Sequence, residues 1–367
     1  MSGVLSRLYR GETTFNFVGR RWWGFGLSLF LIVVTMLSLF TRGLNLGIDF
    51  EGGVAWEVPA ASLTVPDVTE ILEANGVDTA DAKIQSLNGS DGPRIRVQVA
   101  EQNDATKSAV QGELAAKAKV DVQDVSVSSV SSSWGRSITE KAVRALLIFF
   151  VLVSIFIAWR FEWKMALSAI LAMAHDVLIS VGVYSVTGLA VTPATVIAFL
   201  TILGFSLYDT IVVFDKVHDN TAKYSASRVS YADITNVSMN QVLMRSINTS
   251  LAAVLPVLSL LVLGSWVLGA VALEEFAIAL LVGLLLGAYS SIFVATPLLA
   301  VFKTRESKYA SMADEVHIGA EMARIAGSGK KTVQRVVATT AEESEREVVL
   351  ASSALTHPPR PRKKRRR

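Results

Sequence analysis

The chain has 367 residues, 51% of them hydrophobic, with a formal net charge of +3 and no cysteine. Soluble globular chains average about 45–50% apolar without long unbroken runs; here the runs are long and recur, which excludes an ordinary soluble domain. Without cysteine there are no disulfides, thiolate metal sites or Cys nucleophiles, and the four histidines (His175, His218, His317, His357) are too scattered for a metal cluster, so no metal and no cofactor is expected.

A helix needs about 20 apolar residues to cross a bilayer. Residues 1–21 carry Arg7, Arg10, Arg20 and Arg21 ahead of the first such run, 22–40. That run is too long for a signal-peptide core and no small-residue cleavage pattern follows it closely, so it is expected to stay as an anchor. "GIDFEGG" (47–53) follows; taken alone, two glycines after an acid read as a turn that opens a strand, and they close the first segment at residue 52.

Residues 53–137 form a polar segment of about 85 residues, expected to be a separate extracytoplasmic domain. "VAWEV" alternates as a strand does, and "VPDVTEILEANG" has helical spacing and ends in Gly76. "AKIQSLN" and "PRIRVQVA" flank the turn-rich "GSDG"; then come a helix, "DATKSAVQGELAAKAK", and a last strand in "VQDVSVSSV". The order βαββαβ is the split βαβ, ferredoxin-like arrangement. No carboxylate pair, histidine or phosphate loop marks it for chemistry, so a binding or lever role is expected. The predicted fold class is thus an α-helical membrane protein with six transmembrane helices plus a small α+β ferredoxin-like domain.

Five further apolar runs lie in the membrane segment 138–302: 142–159, 165–186, 193–214, 247–263 and 276–302. Lys and Arg cluster in alternate loops (Arg160 and Lys164; Lys216, Lys223, Arg228 and Arg245; Lys303 and Arg305), whereas the loops near Gly188 and Ser265 carry none. The positive-inside rule then places both termini in the cytoplasm. Residues 303–367 are expected to be a cytoplasmic basic tail, disordered apart from some helix in "ADEVHIGAEMARIAG", ending in "PPRPRKKRRR". That ending suits acidic lipid or RNA, but a solvated charge run is the favoured reading; no specific nucleic acid is expected.

Several ionisable groups fall inside the apolar runs. Asp209 lies in the fourth, about five residues from its end, and Asp215 stands at its aqueous mouth. Six residues of helix rotate by about 240°, so the two face different neighbours and form no dyad; Asp215 reads as an interfacial charge. The third run carries His175 and Asp176 about halfway through. The fifth opens with Arg245, followed by Asn248 and Thr249 on one helical face, and the long Arg245 side chain is expected to reach Asp209. Intramembrane charges of this kind commonly line ion or proton paths; the competing reading is a structural ion pair that fixes helix packing. For His175 a packing role stands level with a chemical one. In the sixth run Gly283 and Gly287 make a small-xxx-small contact face.

Together, "GIDFEGG", "AHDV", "GFSLYDTIVVFDK" and "RSINTSLAAVLP", in this order and on these runs, resemble the SecF family. SecF is the smaller subunit of the SecD–SecF pair of the bacterial Sec protein-export machinery. The resemblance covers about Arg20 to Lys303. It implies a multi-pass protein of the bacterial cell membrane, RND-related, that does no covalent chemistry. Such a protein works with SecD, using the proton-motive force to help draw preproteins outward through the SecYEG channel after SecA has pushed them in. It further implies that Asp209 is the proton-handling aspartate with Arg245 its partner, and that Asp49, Gly52 and Gly53 are the signature at the exit of the first run; Asp176 is placed on the proton pathway by its position inside an apolar run, not by the resemblance. The chain departs from the family in "DKVHDN", where a D-R-I-R-E-N run is commoner, and in its long basic tail. The alternative is half of a proton-coupled RND-type small-molecule exporter, against which the short outer domain argues.

Overall fold

Among the described residues, six helices are long and apolar enough to cross a membrane: Arg21–Thr41, Ser132–Arg160, Trp163–Thr187, Pro193–Lys223, Tyr231–Gly264 and Leu273–Thr304, hereafter spans one to six. The computed structural model describes residues 13–59, 63–89, 92–224, 229–267, 271–312 and 316–326; Arg7, Arg10, Arg228 and the basic ending of the chain lie outside the described residues.

The helix ends follow from local chemistry. Span four opens on Thr192 with Pro193 in the first turn, and the Thr192 and Thr195 side chains close a capping box, which pairs N–H groups that have no intrahelical acceptor. Span three stops on Gly188 at φ +73°, a left-handed conformation that glycine adopts without a Cβ penalty. In span six Pro297 lacks an N–H, and the helix widens into a π turn over Ser291–Ala295 just before it. The Thr296 hydroxyl donates to the Ser291 carbonyl across that turn (2.7 Å).

Span five differs from its apolar run. The run begins at 247, whereas the helix begins at Tyr231 behind its N-cap Ser230. Tyr231 to Asn240 are all buried, and protein rather than lipid surrounds them. Asn236 Oδ1 accepts from the backbone N–H of Phe17 and of Val18, both at 3.0 Å. Asn240 pairs with the Phe15 backbone, and Asp233 accepts from the His317 N–H at 2.7 Å. The segments flanking spans one and six thus wrap this half-helix. Buried polar groups need such partners, and a hydropathy run cannot register a helix whose neighbours are polar.

Between spans one and two lies a four-stranded antiparallel sheet in the order β2-β3-β1-β4, with β1 Gly53–Pro59, β2 Lys83–Gly89, β3 Gly92–Val99 and β4 Ser126–Val130. Helices Val65–Ala74 and Asp104–Ala118 connect the strands in the expected βαββαβ order. Alternation along the strands sorts the faces. Val54, Trp56 and Val58 with Ile95, Val97 and Val99 are buried against Leu72, Val110 and Leu114 of the helices, and the Trp56 indole N–H donates to the Lys107 carbonyl at 3.2 Å. Glu57, Arg96 and Gln98 occupy the other face.

That second face is not free. It sits on the ends of the spans: Gln85 donates to the Gly188 carbonyl (2.7 Å), and Lys83 to the Leu46 carbonyl (3.1 Å) and to Glu51 (2.7 Å). Arg96, 9% exposed, bridges Glu57 of the sheet (2.7 Å) and Glu275 at the start of span six (2.6 Å), itself 4% exposed.

The "GIDFEGG" stretch is the junction of these parts. Ile48–Glu51 is one helical turn, with Asp49 in it, and Gly47 N–H donates to the Val191 carbonyl at 2.9 Å. Gly52 (φ +82°) and Gly53 (φ +124°) then turn the chain into the central strand. A Cβ on Gly52 would stand 2.5 Å from Ser132 Cα at the start of span two, and one on Gly53 2.2 Å from the Val99 carbonyl oxygen. Both positions therefore require glycine, for φ and for space.

Candidate functional site

Asp209 lies near the middle of span four, because the helix continues to Lys223 past the end of its apolar run. Its side chain points inward and is 6% exposed. Span five supplies its partners: Ser246 Oγ donates to one carboxylate oxygen, and Thr249 Oγ1 approaches the other at 3.4 Å. Asp209 and Thr249 also border a small cavity of about 30 Å³, lined further by Ser206, Tyr208, Ser250 and Gly287. That volume is enough for a water, and the lining is polar enough to hold one.

Arg245 does not reach Asp209. Its side chain is exposed and donates to the Tyr208 hydroxyl at 3.3 Å, and no ion pair joins Asp209 to Arg245 among the described residues. The reason is helical phase: Ser246 and Thr249 face span four, whereas Arg245 and Asn248 point to the outside of the bundle. Asp215 pairs with Arg160 of span two at 2.9 Å, both about half exposed.

Asp176 is fully buried in span three, and no hydrogen bond or ion pair joins it to Asp209 among the described residues. Its Oδ2 accepts from Ser206 of span four and Ser290 of span six, both at 2.6 Å. Its Oδ1 lies 2.9 Å from His175 Nδ1, and His175 Nε2 lies 3.0 Å from Ser28 of span one. Spans three, four and six thus converge on one carboxylate, and span one joins them through His175. Gly283 and Gly287 make this possible. A Cβ on Gly287 would come within 2.9 Å of Ser206 Cβ, and one on Gly283 within 2.2 Å of Ile202 Cδ1. Their small-residue face is therefore filled by span four of the same chain.

Sequence reasoning missed Ser246, Ser206, Ser290, Ser28 and Tyr289. Their only signal is a hydroxyl in an otherwise apolar helix, and such hydroxyls often bond to their own helix's carbonyls. It also missed the Arg96–Glu275 pair, whose members are 179 residues apart.

Residues 110–305 match the family described as "Protein export membrane protein SecD/SecF, C-terminal", and residues 37–54 match the "SecD/SecF GG Motif". The SecF translocase subunit of Mycobacterium tuberculosis is 44% identical over 309 residues, covering 82% of this chain and 70% of that protein. The SecF of Streptomyces coelicolor is 42% identical over 315 residues, covering 85% and 83%. The chain belongs to the SecF family. As a SecF it is a multi-pass protein of the cell membrane. The crystal structure of SecDF from Thermus thermophilus, a translocon-associated membrane protein, superposes with a TM-score of 0.72 at 33% identity. That likeness covers 80% of this SecF and 39% of the longer SecDF chain. A second SecDF structure, the super-membrane-facing form, gives a TM-score of 0.57 at 32% identity, covering 83% and 40%.

Proposed function

We propose that this SecF acts in the Sec protein translocase beside SecD, and that it uses the proton-motive force to promote late export of preproteins through SecYEG, with SecA acting earlier. The SecDF relative carries both names in one polypeptide, and this chain spans about two fifths of it, 39%. That supports SecD as the direct partner. Both termini lie in the cytoplasm, as the distribution of Lys and Arg favours, and the sheet domain stands on the outer face.

The observation that carries the proton role is Asp209 itself. It sits mid-bundle, almost without exposure, held by two hydroxyls and bordered by a cavity of water size. A carboxylate at this depth costs several kcal/mol unless paired, wetted or protonated, so gain and loss of one proton changes what the surrounding helices prefer. One charge crossing the membrane releases about 2.3 kcal/mol per 100 mV. In the charged state Arg245, one residue from Ser246, swings inward to Asp209; in the neutral state it rests on Tyr208. Asp49, Gly52 and Gly53 pass the resulting movement of the spans to the sheet, because they join span one, span two and the central strand. A small-molecule exporter is not favoured, since the likeness extends through SecF and SecDF proteins.

The test is Asp209→Asn, which keeps shape and hydrogen-bonding capacity but cannot titrate. In membrane vesicles with SecD and SecYEG the variant inserts and binds SecD normally, while uncoupler-sensitive completion of precursor export is lost. Full uncoupler-sensitive export in the variant would refute the proton role.

A further inference from the structure

Spans one, three, four and six meet in one continuous run of hydrogen bonds. Ser206 Oγ and Ser290 Oγ each stand 2.6 Å from Asp176 Oδ2. Asp176 Oδ1 is 2.9 Å from His175 Nδ1, and His175 Nε2 is 3.0 Å from Ser28 Oγ. Ser28 Oγ is 3.1 Å from the Tyr289 hydroxyl, which donates to the Gly24 carbonyl at 2.7 Å. These are six links, and each needs one hydrogen. A neutral imidazole beside an ionised carboxylate leaves only five: one each from Ser206, Ser290, His175, Ser28 and Tyr289. One link would then set lone pair against lone pair at hydrogen-bond distance. A single additional proton closes all six.

Charge leads to the same count. Asp176 is 0% exposed, and its one ionic partner among the described residues is His175, 7% exposed at its side chain. Span one faces the pair with Ser28 and the Gly24 carbonyl. Span four brings Ser206 and, a turn further, Asp209; span six brings Tyr289 and Ser290. Span two has no titratable side chain between Arg144 and Arg160. Among the described residues no Lys or Arg pairs with the carboxylate, so an ionised Asp176 beside a neutral His175 would be a buried charge without a counter-charge, an arrangement that is costly.

We infer that His175 and Asp176 form a second proton-holding site in the bundle, distinct from Asp209, which carries one proton beyond those of a neutral imidazole and a carboxylate and is linked to the Asp209 cavity by Ser206. The proton is held as imidazolium with carboxylate, or as Nε2–H imidazole with carboxylic acid; both are net neutral and fill all six links. Ser206 and Asp209, three residues apart on one helical face, border the same cavity, so Ser206 stands between the two acids. What the proton is used for rests on the proton-coupled reading above; its presence does not.

The test uses the full chain with SecD in lipid nanodiscs, with 15N-labelled histidine, near neutral pH. Comparison with His175→Gln assigns the His175 nitrogens, and an infrared comparison with Asp176→Asn shows whether that carboxyl is protonated. The expected result is a hydrogen on Nε2, together with either a hydrogen on Nδ1 or a protonated Asp176. A bare Nε2, or a bare Nδ1 beside an ionised Asp176, overturns the inference. The His175 signature persists in Asp209→Asn whether or not that variant still exports, which separates this site from the proposal for Asp209; its disappearance there would show one shared site and overturn the claim of a second. For the link, Ser206→Ala lowers uncoupler-sensitive export severalfold more than Ser290→Ala, which removes the same kind of bond from the same oxygen without touching the cavity. Equal losses refute the link.

Discussion

Replacing Arg96 with Met tests how the sheet domain is held to the spans. Arg96 joins Glu57 at 2.7 Å and Glu275 at 2.6 Å, with side-chain exposures of 10% for Arg96 and 6% for Glu275. Burial works against the guanidinium charge, but the Glu275 and Glu57 carboxylates outweigh it and hold the group above its ordinary range. Arg96 therefore stays cationic at any physiological pH. Methionine keeps much of the packing of the side chain and removes the charge, leaving Glu275 buried opposite nothing. Removing one member of a buried pair costs about 3–5 kcal/mol, or about two to four orders of magnitude in the docking equilibrium. Gln85, Lys83 and the Gly47 N–H still hold the domain, so it loosens rather than detaches. The loosening is read by amide hydrogen exchange of peptides covering Gly47 and Val191, whose N–H groups donate to the Val191 and Asn45 carbonyls at the junction. Exchange there accelerates strongly in Arg96→Met, less in Glu275→Gln, and least, relative to the sum of the two, in the double variant, because no charge is then stranded. Additive effects, or acceleration by less than about tenfold, would mean a solvated pair worth only about 0–1 kcal/mol and would refute the reasoning.

The excised segment 53–131 folds without cofactor, since its second face is polar and its core is its own; an NMR spectrum with collapsed amide dispersion would contradict this. In that fragment Asp67, which closes the capping box of helix Val65–Ala74, titrates at about 2, held low chiefly by the Thr64 side chain and then by Lys117. A folded value below the unfolded one means that the unfolded chain binds more protons between the two. The contribution of Asp67 to stability is thus fully present above about pH 4 and is lost as pH falls toward about 2, whereas Asp67→Asn flattens that part of the acid unfolding curve; an unchanged curve would dismiss the cap. Gly287→Val drives a side chain into Ser206 and costs about 1–3 kcal/mol of stability, measured by thermal unfolding in detergent; a neutral result would mean that spans four and six pack less closely than described.

The fold class needed nothing beyond the chain. Apolar runs of bilayer length can only be helices, because lipid offers no partner for an open backbone, and the chain order of the outer domain could be read from the alternation of "VAWEV", the helical spacing of "VPDVTEILEANG" and the turn-rich "GSDG". The residues of the candidate site were legible as types: Asp209 and Asp176 are carboxylates in apolar runs, which is anomalous from sequence alone. What they touch was not legible. Arg245 and Ser246 are adjacent in sequence, and which of them faces Asp209 depends on how span five is rotated in the bundle, a rotation set by packing along its whole length. The same holds for the first half of span five, a helix because folded protein rather than lipid surrounds it. Local sequence carries the propensity and the anomaly of a charge. The partner of that charge is chosen by the phase and closeness of helices far apart in the chain, as when glycines at 283 and 287 let Ser206 approach span six, and only the tertiary structure decides that.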